Sequence, residues 1–289
     1  MSKVLSILRP AQWIKNLILF APIVFGQQLA EPRAVWRVVL AFAGFCLVSS
    51  AGYVLNGIMD RATDAAHPTK RHRPLASGRV SVGSAAAVLV VVLAAGLSIT
   101  AWSGLGVLAW ALAYSATNAA YCLWLKHVVI LDVMAIAAGF VLRMLAGSAA
   151  AAVEPSQWLL LCTMLASVFL GFTKRRAELT HVGAVSPTAR AVLEHYSLAF
   201  LDQMIAIVTS ATVICYVLYT VSVETLPAAR AGAMVLTVPF VLYGIFRYLY
   251  LVYHCDRGES PTRTIVTDAP LLVNALLWGV VCALIIYGG

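Results

Sequence analysis

The chain has 289 residues, 62% of them hydrophobic and only 11% charged, with a formal net charge of +8. Ordinary soluble domains carry about 25% charged residues, so this composition excludes a soluble fold and indicates an integral membrane protein. No Gly/Ser-rich or low-complexity stretch divides residues 1–289, which read as a single integral-membrane domain.

Taken in order, Met1 to Lys15 lacks the apolar core and cleavage site of a signal peptide. The string RPAQWIKN, Arg9 to Asn16, sets Arg, Trp and Lys beside the first apolar run, as an interface anchor does. Apolar runs near 20 residues predict nine membrane spans, about 17–30, 36–56, 81–101, 104–124, 128–149, 156–173, 200–221, 232–252 and 270–287. The expected fold is therefore all-α and polytopic, with about nine transmembrane helices. The first span is short and broken by Pro22, so eight spans with a surface N-terminal helix is the fallback.

Sixteen of the twenty Lys and Arg fall on the side holding the N-terminus and the loops after spans two, four, six and eight. That bias places those loops in the cytoplasm and the protein in the inner (plasma) membrane, with its polar chemistry facing the cytoplasm. A basic chain of this kind has no exposed aromatic platform between its charges, so nucleic acid is not an expected partner. Anionic lipid or a phosphate substrate is.

The longest polar interruption is Asn56 to Gly78, NGIMDRATDAAHPTKRHRPLASG. If Leu47 to Asp64 stays helical, Asn56, Asp60 and Asp64 recur every four residues and line one face. Two carboxylates and an amide oxygen suit a hard cation such as Mg²⁺, or Mn²⁺ in its place, held together with substrate phosphates. Lys70, Arg71, Arg73 and Arg79 then supply donors for those phosphates. The competing reading, a loop that only sets topology, gains nothing from aligned acids.

The other even-numbered spans end in clusters of their own. The fourth leads to Tyr121, Lys126, His127 and Asp132, the sixth to Thr173, Lys174, Arg175, Arg176 and Glu178, and the eighth to Arg247, Asp256, Arg257 and Glu259. Helices bundled around a cytoplasm-facing cavity would bring the clusters together. Arg143 lies within a span, where an ionisable group must face the bundle. It is read either as a phosphate or carboxylate contact or as half of a buried pair joining two helices. His67, His72 and His127 lack the spacing of a zinc site. The six cysteines have no CxxC spacing and read as packing residues. Tyr243, Tyr248, Tyr250 and Tyr253 read mostly as an interfacial belt, with a lipid-chain groove as the other reading.

The Asn56-to-Asp64 string resembles the NDxxDxxxD motif of the UbiA superfamily of intramembrane prenyltransferases. RPAQWIKN, HPTKRHRPLASG and TKRRAEL together are similar to the branch of that superfamily that places phosphoribosyl on decaprenyl phosphate for cell-wall arabinose. The resemblance runs from Arg9 to GESPTRTIVTDAPLL. It implies a UbiA-like nine-helix fold and a membrane-embedded transferase of phosphoribosyl from phosphoribosyl pyrophosphate to a polyprenyl phosphate, with a homo-oligomer allowed. It further implies that Asn56, Asp60 and Asp64 hold Mg²⁺ against the diphosphate and that Lys70, Arg71 and Arg73 neutralise it. Lys126, Asp132, Lys174 and Arg175 match other polar positions of that branch and are implied to contact substrate; Lys15, Tyr121 and Arg143 are expected beside them as substrate contacts.

Two departures from the motif stand out. Gly57 occupies the place of the first motif Asp, and Asp132 is followed four residues later by Ile136 rather than by a second acid. The second departure favours a sugar diphosphate donor over a prenyl diphosphate. A prenyl-diphosphate transferase and a non-catalytic lipid-binding or transport protein are the alternatives.

Overall fold

The structure, a computed structural model, describes residues 3–66, 70–182, 191–222, 232–255, 257–258 and 260–288. His67, Asp256 and Glu259 lie outside the described residues. Every regular element among those described is helical, and seven helices are long and apolar enough to cross a membrane.

By internal contacts the chain divides into two compact units, Met1–Glu154 with 185–192, and Pro155–Ala184 with Leu193–Gly289. The first begins with α1 (Lys3–Leu8), a 3₁₀ helix (Pro10–Phe20) and α2 (Ala21–Phe25). The long helices α3 (Pro32–Met59), α5 (Val82–Ser103), α6 (Leu105–Leu123) and α7 (Leu131–Ala151) follow, with the short α4 (Arg61–Ala66) after α3. The second unit contains α8 (Gln157–Val182), α9 (Leu198–Val221), α10 (Val238–His254), α11 (Pro261–Thr267) and α12 (Ala269–Tyr287).

The expected first span at 17–30 is different in the structure. The apolar segment is Pro10–Phe25, mostly 3₁₀, and it is shorter than the other spans. Pro10 and Pro22 remove backbone donors at the starts of its two pieces. A 3₁₀ helix rises about 2 Å per residue, so the segment still covers more depth than an α-helix of equal length. The fourth expected span is α6. It carries Tyr114, Ser115, Asn118 and Tyr121 among its nineteen residues and is not one of the seven.

Small residues let the helices of the first unit approach closely. A Cβ on Gly44 of α3 would meet Thr100 at 2.6 Å and the Gly96 carbonyl at 3.0 Å, and one on Gly96 would meet Val48 at 2.9 Å. Glycine at both positions puts the two backbones in contact, the device that membrane helices use where lipid gives no hydrophobic drive. The core beside it joins Leu19 and Ile23 to Val38, Phe45 and Val48 of α3, Val107 and Ala111 of α6, and Ala146 and Ala150 of α7. Arg37, near the start of α3, donates from Nε to the Ser103 carbonyl at 2.8 Å and so satisfies a carbonyl at the end of α5. In the second unit, Ser197 caps α9 and Asp268 caps α12 through the Leu271 N–H at 3.0 Å.

Candidate functional site

The unbroken helix expected through Asp64 is two helices. α3 stops at Met59, Asp60 is its C-cap at φ −88°, ψ 6°, and α4 starts at Arg61. The backbone still steps by one turn across the join, because the Asp60 N–H donates to Asn56 O at 2.9 Å and the Asp64 N–H to Asp60 O at 2.8 Å. Asn56, Asp60 and Asp64 therefore keep their four-residue relation.

Each carboxylate is engaged by a cation from another segment. Lys126, in the 3₁₀ turn Leu125–His127 after α6, brings Nζ to 2.5 Å from Asp60 Oδ1. Asn56 Nδ2 donates to the other Asp60 oxygen at 2.9 Å. Arg73, after the 3₁₀ turn Lys70–His72, donates from Nη1 to Asp64 Oδ2 at 2.7 Å, and Asp64 is buried. Among the described residues no three His, Cys, Asp or Glu side chains gather as a metal cluster. A hard cation at this site would thus find at most two carboxylates and one amide oxygen, a set completed by substrate phosphates or water.

The other expected site residues of this unit are less uniform. Lys70 is half-buried at the head of its turn, whereas Arg71 is exposed and packs beside His72 with 3.5 Å between their Nε atoms. Arg79 folds back onto Ser77 and the His72 carbonyl, closing the loop. Tyr121 is half-buried on α6, and Asp132 is fully buried in the first turn of α7. Lys15 is half-buried with Nζ 6.0 Å from the centre of the Tyr53 ring.

Arg143 has the structural arrangement, with neutral partners in place of an acid. Its Nε donates to Asn16 Oδ1 at 2.7 Å, Nη1 to the Gly139 carbonyl at 3.0 Å, and Nη2 to the Tyr114 hydroxyl at 2.7 Å. The guanidinium also lies 4.4 Å from the Tyr114 ring centre. Asn16 passes the network on to Ser49 at 3.2 Å. One charge thereby ties α7 to α6, α3 and the N-terminal 3₁₀ helix.

The sequence reading gave Arg9 no site role. It sits in the left-handed region at φ 51°, ψ 59°, with its guanidinium 5.6 Å from the Tyr53 ring centre. With Tyr53, Gly57, Asp64, Arg73 and Leu75 it lines a cleft of about 50 Å³ at the C-terminal end of α3. Burial, and then the like charge of Arg73, push its pKa below the ordinary arginine value. The signal in the sequence is that Arg9 opens the RPAQWIKN string ahead of the first apolar run.

In the second unit, α8 continues to Val182, past the predicted span end at residue 173, so Lys174 and Arg175 are helical. Glu178 takes both: Lys174 Nζ lies 3.9 Å away, and the fully buried Arg175 pairs with it more closely. Arg176 forms an ion pair with Asp202 at 2.6 Å and stacks 3.8 Å from the centre of Tyr253, whose hydroxyl donates to the same carboxylate at 2.7 Å. Tyr250 and Tyr253 line a groove of about 470 Å³ between α9 and α10. Tyr248 departs from the expected belt, being buried edge-on against Phe169 at 5.6 Å.

Residues 19–267 match the sequence profile of the UbiA prenyltransferase family. The chain belongs to this family. Membership in the UbiA prenyltransferase family makes it an integral membrane protein, and the apolar helices are its spans. Among its relatives is the decaprenyl-phosphate phosphoribosyltransferase of Corynebacterium glutamicum, 35% identical over 277 residues that cover 94% of this chain and 82% of that one. The protein of the same name from Mycolicibacterium smegmatis is 34% identical over 288 residues, covering 96% and 90%. The fold matches a solved UbiA homolog from Archaeoglobus fulgidus bound to GPP and Mg²⁺, with a TM-score of 0.74, 18% identity and coverage of 99% and 97%.

Proposed function

We propose that this UbiA-family protein transfers 5-phosphoribosyl from phosphoribosyl pyrophosphate to a polyprenyl phosphate and releases diphosphate. The whole chain would act as one transferase domain, since the family match runs across both compact units. It would sit in the plasma membrane with the Asn56–Arg79 loop toward the cytoplasm, as the distribution of Lys and Arg favours. The names of its relatives support the choice of substrates. The observation that carries the reading is the pairing of Asp60 with Lys126 and of Asp64 with Arg73, which sets two carboxylates and two cations together at the end of α3.

The donor set fits a hard cation. Asn56, Asp60 and Asp64 offer only oxygen ligands, and the shortfall below six is what diphosphate oxygens and water supply. Mg²⁺, when bound, neutralises charge on the departing diphosphate.

The chain's own residues would do the rest. Asn56, Asp60 and Asp64 would hold the cation that faces the diphosphate. Lys126 and Arg73, each within ion-pair reach of one of these acids, donate hydrogen bonds to diphosphate oxygens as the C1–oxygen bond lengthens and ribose gains oxocarbenium character. An oxygen of the lipid phosphate attacks C1, the old C1–oxygen bond breaks, and diphosphate leaves with the electron pair. The nucleophile is already an anion at neutral pH, so no proton is moved and no general base is needed. Positioning and charge stabilisation account for the rate.

Mass spectrometry of the lipid product tests the reaction. Purified protein supplied with both substrates and Mg²⁺ should yield the polyprenyl phosphate heavier by one phosphoribosyl group. Unmodified lipid, alongside active prenyl transfer from a prenyl diphosphate, would overturn the proposal.

A further inference from the structure

The charges around the cleft at the end of α3 do not balance. Asp64 answers Arg73 and Asp60 answers Lys126, at 2.7 and 2.5 Å. Arg9 and Lys15 remain, both against the ring of Tyr53, and neither forms an ion pair among the described residues. Charge held away from bulk water calls for a counter-ion, so the excess of cations favours an anion at this place. Arg9 also holds a left-handed backbone conformation, the kind of strain that collects at ligand clamps.

Gly57 shapes the same cleft. It lines the wall and leaves the space beside Arg9 and Arg73 free of a further carboxylate. The volume of about 50 Å³ is comparable to one or two water molecules, which suits the outer oxygens of a phosphate group rather than a whole sugar.

We infer that Arg9, with Gly57 as the cleft wall and Lys15 beside the Tyr53 ring, forms a subsite for a phosphate monoester that adjoins the diphosphate cradle and shares its Asp64 and Arg73 wall. The inference rests on the proposed reaction, in which both substrates carry such a group: the 5-phosphate of the donor and the phosphate of the lipid. A monoester dianion matches the Arg9 and Arg73 guanidiniums of the cleft, with the Lys15 ammonium near by at the Tyr53 ring, better than a singly charged group would.

Binding without catalysis tests it. The full-length protein in detergent is titrated, free of Mg²⁺, with ribose 5-phosphate and separately with a short-chain polyprenyl phosphate, and then with Mg²⁺ and inorganic diphosphate. The wild type should bind at least one monoester saturably. Arg9→Gln should weaken that binding by about 10- to 100-fold, the worth of one charged hydrogen bond, and leave Mg²⁺-diphosphate affinity within about twofold. Arg9→Lys should recover most of the loss, which separates the effect from misfolding. Gly57→Asp should weaken the same monoester by adding a negative charge to the cleft.

The monoester affected identifies the source, donor or lipid. If wild type binds neither monoester, or if Arg9→Gln leaves both affinities unchanged, the subsite is wrong. Diphosphate release by the wild type, measured on the same preparation, decides the parent reading independently. Release with an Arg9-independent monoester affinity sinks only the subsite, and an Arg9-dependent monoester without release sinks only the reaction.

Discussion

Lys126 and Asp60 are 66 positions apart in the chain and 2.5 Å apart in space, so the turn after α6 is pinned to the end of α3. The contact lets one loop supply the cation for the acid of another. Asp60→Asn should therefore lower the rate of diphosphate release by about 10²- to 10³-fold, the usual cost of losing one electrostatic stabiliser at a reacting centre. Lys126→Met should lower it by a similar factor. Steady-state rates of the two variants check this, and a rate within a few-fold of wild type for both would remove the pair from the chemistry.

Arg143 predicts a loss of stability. Arg143→Met strands the buried Asn16 oxygen and leaves the Tyr114 hydroxyl only the long 3.5 Å bond from Asn118 Nδ2. Each unsatisfied buried group costs about 1–3 kcal/mol, so the melting temperature in detergent should fall clearly. An unchanged melting temperature with a raised KM would instead restore Arg143 to the substrate site.

The approach of α3 to α5 predicts that Gly96→Ala is destabilising. The new methyl would lie 2.9 Å from the Val48 backbone nitrogen and 3.0 Å from the Gly44 carbonyl, neither of which can rotate away. Overpacking of this kind costs about 1–3 kcal/mol. Gly57→Asp should be milder, because its Cβ meets only the end of the Leu75 side chain at 3.0 Å. Thermal melts of the two variants should keep that order.

Asp268 predicts a pH dependence. Hydrogen bonds from Arg247, at 3.0 and 3.2 Å, hold its carboxyl below the usual value of 3.8. A depressed carboxyl pKa contributes stability that is present above the unfolded-state value and disappears as pH falls through the folded one. The melting temperature of the wild type should then fall toward that of Asp268→Ala as pH drops below about 4. At neutral pH, loss of the α12 N-cap alone costs roughly 1 kcal/mol. A gap between the two proteins that persists unchanged into acid would contradict the assignment.

Much of this was written in the sequence because the membrane makes periodicity simple. The spans show as long apolar runs, and the polar residues that interrupt them had to be sites, caps or topology signals. Asn56, Asp60 and Asp64 were legible through their four-residue spacing, which survives the break at Asp60 because the backbone bonds bridge it. What could not be read was long-range pairing. Nothing local to Lys126 announces Asp60, and the neutral partners of Arg143 come from three separate elements. Arg9 was hidden for another reason: its role depends on a left-handed backbone and on Tyr53, more than forty positions later. The first span differs because hydropathy is blind to the difference between 3₁₀ and α geometry, and only the break at Pro22 was legible.

The central claim is tested most directly by diphosphate release from phosphoribosyl pyrophosphate, measured with and without polyprenyl phosphate and with Mg²⁺ present or chelated. Release that requires the lipid phosphate, stops on chelation and returns with Mg²⁺ or Mn²⁺ is the predicted result. It would also mean that Asp60 and Asp64 suffice with Gly57 in the motif. Diphosphate release that ignores the lipid, or that proceeds undiminished under chelation, would contradict the account.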